Sequence, residues 1–217
     1  MSSPGERVMR SSLRDQVIAV LRQRLVSGEL EPGGIYSAQA VAAELGVSGS
    51  PVREAMLTLV QQGRMEPVRN RGFRVVALDD DDLRQISQLR RWLEVPAMRL
   101  LAGDPRVVAA HHEYAVIAGH IVDAAHTGNL VEYLEYDREF HLGLLDILGN
   151  DRLLEVVENL RDQTRLFGLA ALGESGRLVP SAEEHAQILA AMVAGDADLT
   201  EQLMIAHLEH VTGDWAG

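Results

Sequence analysis

The 217-residue sequence has no cysteine and no lysine, and aromatic residues make up only 4% of it. Without cysteine there is no disulfide scaffold, no thiolate metal site, no zinc finger and no cysteine nucleophile. No run of about 18 apolar residues is present, so no transmembrane helix and no membrane partner are expected. The first residues, MSSPGERVMRSS, lack the apolar stretch of a signal peptide, and a cytoplasmic location is the expectation. Hydrophobic residues account for 47%, enough to build a core and too many for a disordered chain. The length is that of about one and a half average domains, so one large domain or two modest ones would fit.

All 20 basic residues are arginine, and the formal net charge is −12. That total argues against a nucleic-acid partner until its distribution is read. Residues 1–77 carry a net charge of +3, and residues 78–217 a net charge of −15 together with all eight histidines. Such asymmetry implies two domains with different partners. The acidic run Asp79-Asp80-Asp81-Asp82 marks the boundary, giving domains over residues 1–78 and 79–217.

In the first part, Val17, Ile18, Leu21 and Leu25 recur at helical spacing from Leu13 onward, and the helix ends at Ser27-Gly28. Glu31-Pro32-Gly33-Gly34 reads as a turn. Ser37 is placed to cap a short helix through Leu45, with Val41 and Leu45 inward, and Gly46 stops it. Ser48 is placed to cap a third helix reaching about Gln62, with Val52, Met56, Leu59 and Val60 buried and Gly63 as terminator. Met65–Val68 and Phe73–Ala77 then flank Arg69-Asn70-Arg71-Gly72, which reads as a hairpin with a basic tip. Three helices and a hairpin is the order of a winged helix-turn-helix. Leu45-Gly46-Val47-Ser48 is its tight turn, and the next helix would lie in the major groove with its positive N-terminal end towards phosphate. Arg53 lies one and a half turns in, within reach of a guanine or a phosphate; the plainer alternative is a pair with Glu54 or another acid. Arg69, Arg71 and Arg74 on the wing suit backbone or minor-groove contacts.

Ser37–Leu45, GVSGSPVREAM and NRGFRV, preceded by LVSGELEPGGIYS, resemble the N-terminal domain of GntR-family transcription factors over most of residues 13–77. The resemblance implies operator contacts from Gln39, Ser48, Gly49, Ser50, Arg53, Arg69, Asn70, Arg71 and Gly72. The family usually has DNA-contacting arginines where this chain has Gln39 and Gly49. Arg53 and the wing are therefore expected to carry more of the contact, with an altered operator sequence.

The second part reads as an all-α antiparallel bundle of six helices, near 82–102, 105–127, 130–148, 151–172, 181–194 and 197–215. Asp137 and His141 are four apart and share a helix face. His185 precedes Gly195 by ten residues and His207 follows Ala197 by ten. Two antiparallel helices rise and descend by about 15 Å over that span, which brings the two imidazoles to similar heights. One Asp oxygen and three His nitrogens suit Zn²⁺ foremost, with Ni²⁺ or Mn²⁺ also compatible. YDREFHLGLLDILGN, EEHAQILAAMVAGD and MIAHLEH resemble the FCD ligand-binding domain of the FadR subfamily over residues 80–213. By that resemblance Asp137, His141, His185 and His207 are the metal ligands. LRRWLEVPAMRLLA resembles the domain's first helix, and its Arg90 matches a position facing the effector pocket. The helix count is closer to the VanR-like branch than to the FadR-like one.

Arg165 is a second candidate partner for an effector carboxylate, on helix position alone. His111 and His112 are assigned to a solvated face and His120 and His126 to a helix end; His210, one turn beyond His207, is given no role at the site, with a place behind His207 as the alternative. The expected function is a homodimeric, metabolite-responsive regulator, of repressor type, that binds double-stranded operator DNA. It would not be an enzyme, and its effector would be a small organic acid held by the metal and Arg90. The alternatives are a metal-dependent hydrolase-like domain, with Glu183 or Glu184 as base, and a DNA-binding protein whose second half only dimerises.

Overall fold

A computed structural model of the chain describes residues 12–174 and 176–213, with the backbone alone for Val26, 164–174 and 210–213. Within these residues the chain divides into two compact units that meet between Ala77 and Leu78 in the sequence.

The first unit runs α1 (Leu13–Val26), β1 (Ile35–Tyr36), α2 (Ala38–Leu45), α3 (Gly49–Gln61), β2 (Met65–Val68) and β3 (Gly72–Val75). The stripe Val17, Ile18, Leu21 and Leu25 of α1 is buried and packs against α3, whose Val52, Ala55, Met56 and Leu59 are buried in turn. The Ser37 hydroxyl caps α2 by accepting from the Ala40 amide at 3.1 Å. Gly46 ends α2 in the left-handed region at φ 66°, as the tight turn requires. Ser48 is the N-cap residue of α3, but its hydroxyl makes no capping hydrogen bond.

The hairpin belongs to a three-stranded antiparallel sheet of order β1-β3-β2, with Met65 opposite Val75 and Val68 opposite Gly72. The two-residue β1 lies in a stretch that periodicity cannot register as a strand; only pairing with β3, Ile35 to Arg74 and Tyr36 to Phe73, defines it. That pairing also fixes Gly72. Its φ is 126°, and a Cβ there would lie 2.2 Å from the Tyr36 carbonyl oxygen, so no side chain fits.

The second unit comprises α4 (Asp80–Leu101), α5 (Pro105–Ala109), α6 (His111–Thr127), α7 (Leu130–Asp146), α8 (Asp151–Glu174), α9 (Leu178–Ala194) and α10 (Ala197–Gly213). Asp79 opens α4 with a capping box closed by Asp82. Pro96 lies inside α4 without ending it. Pro96 and Trp92 are both exposed, so the Trp92 carbonyl that loses its helical donor can bind water instead.

Two expected boundaries move. The segment 105–127 is two helices, with Ala110 at φ −88°, ψ 4° serving as the end of one and the start of the next. The short α5 packs on α9 with Val107 fully buried, a packing requirement that helical periodicity does not reveal. α9 begins at Leu178 rather than 181, because Pro180 sits in its first turn, where a missing N–H costs no hydrogen bond. In the bundle α4 packs on α8 and α10, α6 on α7 and α9, and α7 on α8. Phe140, fully buried, lies at the centre of the face where the histidines gather.

Candidate functional site

In the first unit, Gln39, Gly49, Ser50 and Arg53 meet the wing residues Arg69, Asn70, Arg71 and Gly72 around one concavity of about 780 Å³. Helix α3 presents the Ser50–Arg53 side because Val52, Ala55, Met56 and Leu59 are turned to the core. The wing closes through a turn in which the Arg71 amide donates to the Val68 carbonyl at 3.1 Å, with Asn70 at φ 60°. Arg53, Arg69 and Arg71 are exposed, and among the described residues none has an acidic partner. Arg74, read as a wing contact, is instead paired with Glu66 across β2 and β3 at 2.6 Å. Nothing in the spacing of 66 and 74 announces this half-exposed cross-strand pair.

In the second unit, Asp137 and His141 on α7, His185 on α9 and His207 on α10 come together. One donor atom from each lies within 4.8 Å of all the others. The three histidines are buried and Asp137 is 13% exposed. His141 Nε2 is 3.1 Å from His185 Nε2, and Asp137 Oδ1 is 3.2 Å from His185 Nε2 and 3.7 Å from His141 Nε2. His207 stacks on His141 at 5.1 Å between ring centroids, and Phe140 meets both His141 and His185 edge-on.

The atoms behind this cluster determine what it presents. His185 Nδ1 donates to the Ala182 carbonyl at 3.0 Å, and His207 Nδ1 donates to Glu184 at 2.8 Å. Each ring therefore turns an Nε2 lone pair inward. Asp137 Oδ2 accepts from Arg161 at 2.8 Å, which leaves Oδ1 towards the histidines. Arg161 also donates to Glu94 at 2.9 Å, and Glu94 accepts from Arg90 at 2.7 Å. Arg90, Glu94, Arg161 and Asp137 thus form a chain of alternating charge from α4 through α8 to α7.

The electrostatics follow from burial and this chain. Burial alone raises the Asp137 carboxyl, but the Arg161 charge, with the His185 and His141 rings beside it, reverses that and holds it well below its usual range. Burial, aided by Arg161 and the other two imidazoles and opposed by Asp137, pushes His141 well below the ordinary histidine value. Burial also lowers His207, partly offset by its bond to Glu184. His141 and His207 are accordingly neutral near pH 7 beside an ionised Asp137. Several lone pairs facing one another at these distances repel unless a cation or a shared proton lies among them, so the donor set fits a divalent metal.

Arg90, expected towards an effector, is buried and engaged by Glu94. Adjacent Arg91 is exposed and paired with Glu209 at 2.8 Å, as the divergence of successive helix positions requires. The calls on Arg165 and His210 fall outside the described side chains. His111 and His112 are exposed; His120, also exposed, packs its ring on Tyr136 at 4.7 Å. Glu184, considered above as a hydrolytic base, is hydrogen-bonded to His207. Arg161 and Glu94 are not singled out from the sequence, and Glu184 is given only the role of a base there. Arg161 was within reach, since it shares a helix face with Arg165, and Glu94 lies four residues after Arg90.

The comparisons with known proteins cover both units. The profile for bacterial regulatory proteins of the gntR family matches residues 13–75, and that of the FCD domain matches residues 85–210. The Nta operon transcriptional regulator of Aminobacter aminovorans is 30% identical over 186 residues, covering 85% of either chain. A probable D-xylose utilization operon transcriptional repressor of Paenarthrobacter nicotinovorans is 28% identical over 212 residues, covering 96% of this chain and 91% of the relative. Among solved structures, McbR/YncC of E. coli superposes with a TM-score of 0.77 at 26% identity, over 92% of this chain and 95% of that one. Both sequence relatives are described as transcriptional regulators. A DNA-binding winged helix followed by an FCD domain, in this order and at this coverage, places the chain in the GntR family of transcriptional regulators, among its FadR-type members.

Proposed function

We propose that the chain is a repressor that binds operator DNA as a homodimer and is controlled by a small organic acid at a metal-containing site in its FCD domain. The observation that carries the reading is the convergence of four donor atoms within 4.8 Å in a buried place, ringed by two arginines already paired with carboxylates. Asp137, His141, His185 and His207 would hold the cation, Zn²⁺ foremost. When bound, the cation supplies positive charge and coordination positions open to a carboxylate.

The chain's own residues do the rest. Arg161 occupies the outer oxygen of Asp137, so that carboxylate can offer a single atom inward. Phe140 and the stacked imidazoles exclude water from one side. The domain carries a net charge of −15, so overall charge does not draw in an anion; Glu94 and Asp137 already balance Arg90 and Arg161, so the local positive charge has to come chiefly from the bound cation. On the DNA side, Arg53 at the third helix and Arg69 and Arg71 on the wing would meet base edges and phosphates, with Gln39, Gly49, Ser50, Asn70 and Gly72 lining the approach and Ser48 at the N-terminal end of that helix.

Effector binding would shift the dimer between arrangements that space its winged units differently. A coupling of about 1–3 kcal/mol releases DNA by roughly 5–150-fold, and the same factor must act in reverse. The test is elemental analysis of protein purified without chelator, followed by titration of a panel of small carboxylates with and without operator DNA. Operator should weaken carboxylate binding by the factor with which carboxylate weakens operator binding. Protein that neither contains nor takes up a divalent metal would overturn the site assignment, and equal carboxylate affinity with and without DNA would overturn the regulatory one.

A further inference from the structure

The four donors are not held alike from behind. The outer oxygen of Asp137 is bound by Arg161, a cation. His185 Nδ1 is bound to the Ala182 carbonyl one turn back on its own helix, a neutral acceptor. His207 Nδ1 reaches across from α10 to a carboxylate on α9, Glu184, at 2.8 Å. His141 Nδ1 is buried with no partner among the described residues. Glu184 immediately precedes His185, and successive helix positions diverge by about 100°. One dipeptide of α9 therefore sends His185 into the cluster and Glu184 to the back of His207.

The plane of the His207 ring is already fixed by packing, stacked on His141 and edge-on to His185 at 4.6 Å between centroids. What packing does not fix is which ring nitrogen carries the proton. A neutral imidazole with hydrogen on Nε2 would point an N–H, not a lone pair, at the other donors. A carboxylate at Nδ1 accepts a hydrogen bond and decides the question, more strongly than a neutral acceptor does.

Resting on the metal reading above, we propose that Glu184 is the positioning residue for His207: it holds the imidazole in the Nδ1–H tautomer and so directs the Nε2 lone pair into the donor set. The carboxylate also makes that nitrogen a better donor to a cation. In this scheme Glu184 acts through His207.

The competing role is a simple tie between α9 and α10, and the experiment separates the two. In metal-free, full-length protein labelled with ¹⁵N-histidine, long-range ¹H–¹⁵N spectra should show His207 as the Nδ1–H tautomer. Glu184→Gln should keep that tautomer, because the amide oxygen still accepts. Glu184→Ala should lose the preference. Zn²⁺ affinity, measured by competition with a chromophoric chelator, should fall about 10–100-fold in Glu184→Ala, with Glu184→Gln in between. Wild-type tautomer and wild-type Zn²⁺ affinity in Glu184→Ala would overturn the proposal. So would a lower thermal midpoint in the metal-free variant with Zn²⁺ affinity unchanged, since a tie between helices predicts that pattern. If wild-type protein itself takes up no Zn²⁺, the metal reading fails, while the tautomer spectra still decide whether Glu184 sets the state of His207.

Discussion

The two units use arginine in opposite ways. In the winged unit Arg53, Arg69 and Arg71 stand in solvent around a concavity, with no acidic partner among the described residues. In the helical unit Arg90 and Arg161 are 4% and 3% exposed and locked between Glu94 and Asp137. An exposed, unpaired guanidinium contributes little to folding and is available to an external anion, which under the proposed function is DNA. A buried one is tolerable only with its carboxylates in place, and what it contributes is position: it fixes which oxygen of Asp137 faces the histidines. The first unit carries charge to meet a partner, and the second spends it internally to shape a site.

The largest expected effect falls on the internal side of that contrast. His185→Ala removes a donor at the centre of the cluster and should lower Zn²⁺ affinity by more than the roughly 100-fold upper range for partners behind ligands. Thermal melts with and without chelator check it: chelation should destabilise wild type and leave the variant unmoved. If both respond equally, the cluster is not where the metal acts.

Arg161→Ala comes next. It leaves Glu94 and Asp137 buried without their shared cation and should cost about 3–5 kcal/mol of stability in urea unfolding. A loss below about 1 kcal/mol would mean that the chain of alternating charge is not holding the bundle together.

The external arginines should behave in reverse. Arg53→Ala should leave unfolding within about 0.5 kcal/mol of wild type and weaken specific operator binding by about 1–3 kcal/mol if it reads a base. A stability loss as large as that for Arg161 would erase the distinction between the units. The smallest effect is reserved for the wing: Arg71→Ala should weaken binding to all DNA sequences and reduce the salt dependence by about one unit of slope. An unchanged slope would place Arg71 off the phosphates.

The corrections share a cause. The pair of Arg74 with Glu66, the strand β1 and the break at Ala110 all lie outside what the spacing announces. Each depends on a residue distant in sequence or on a neighbouring helix, and local periodicity carries no record of that. Gly72 was singled out from its motif, but the reason only glycine fits, the Tyr36 carbonyl crossing beside it, belongs to the sheet.

By itself the sequence determined the winged helix from its change of period and the two units from their opposite charge. It also brought His185 and His207 to similar heights, because helical rise is regular and the turn at Gly195 reverses it, and put Asp137 and His141 on one helix face; the family resemblance joined the four. Tertiary structure alone decided what stands behind those donors. Arg161 reaches Asp137 from another helix, Glu184 turns away from the cluster its neighbour enters, and Arg90 is taken up by Glu94. The physical reason is that a side chain's position along a helix follows from counting residues, whereas its hydrogen-bond partner follows from which faces of different helices are pressed together.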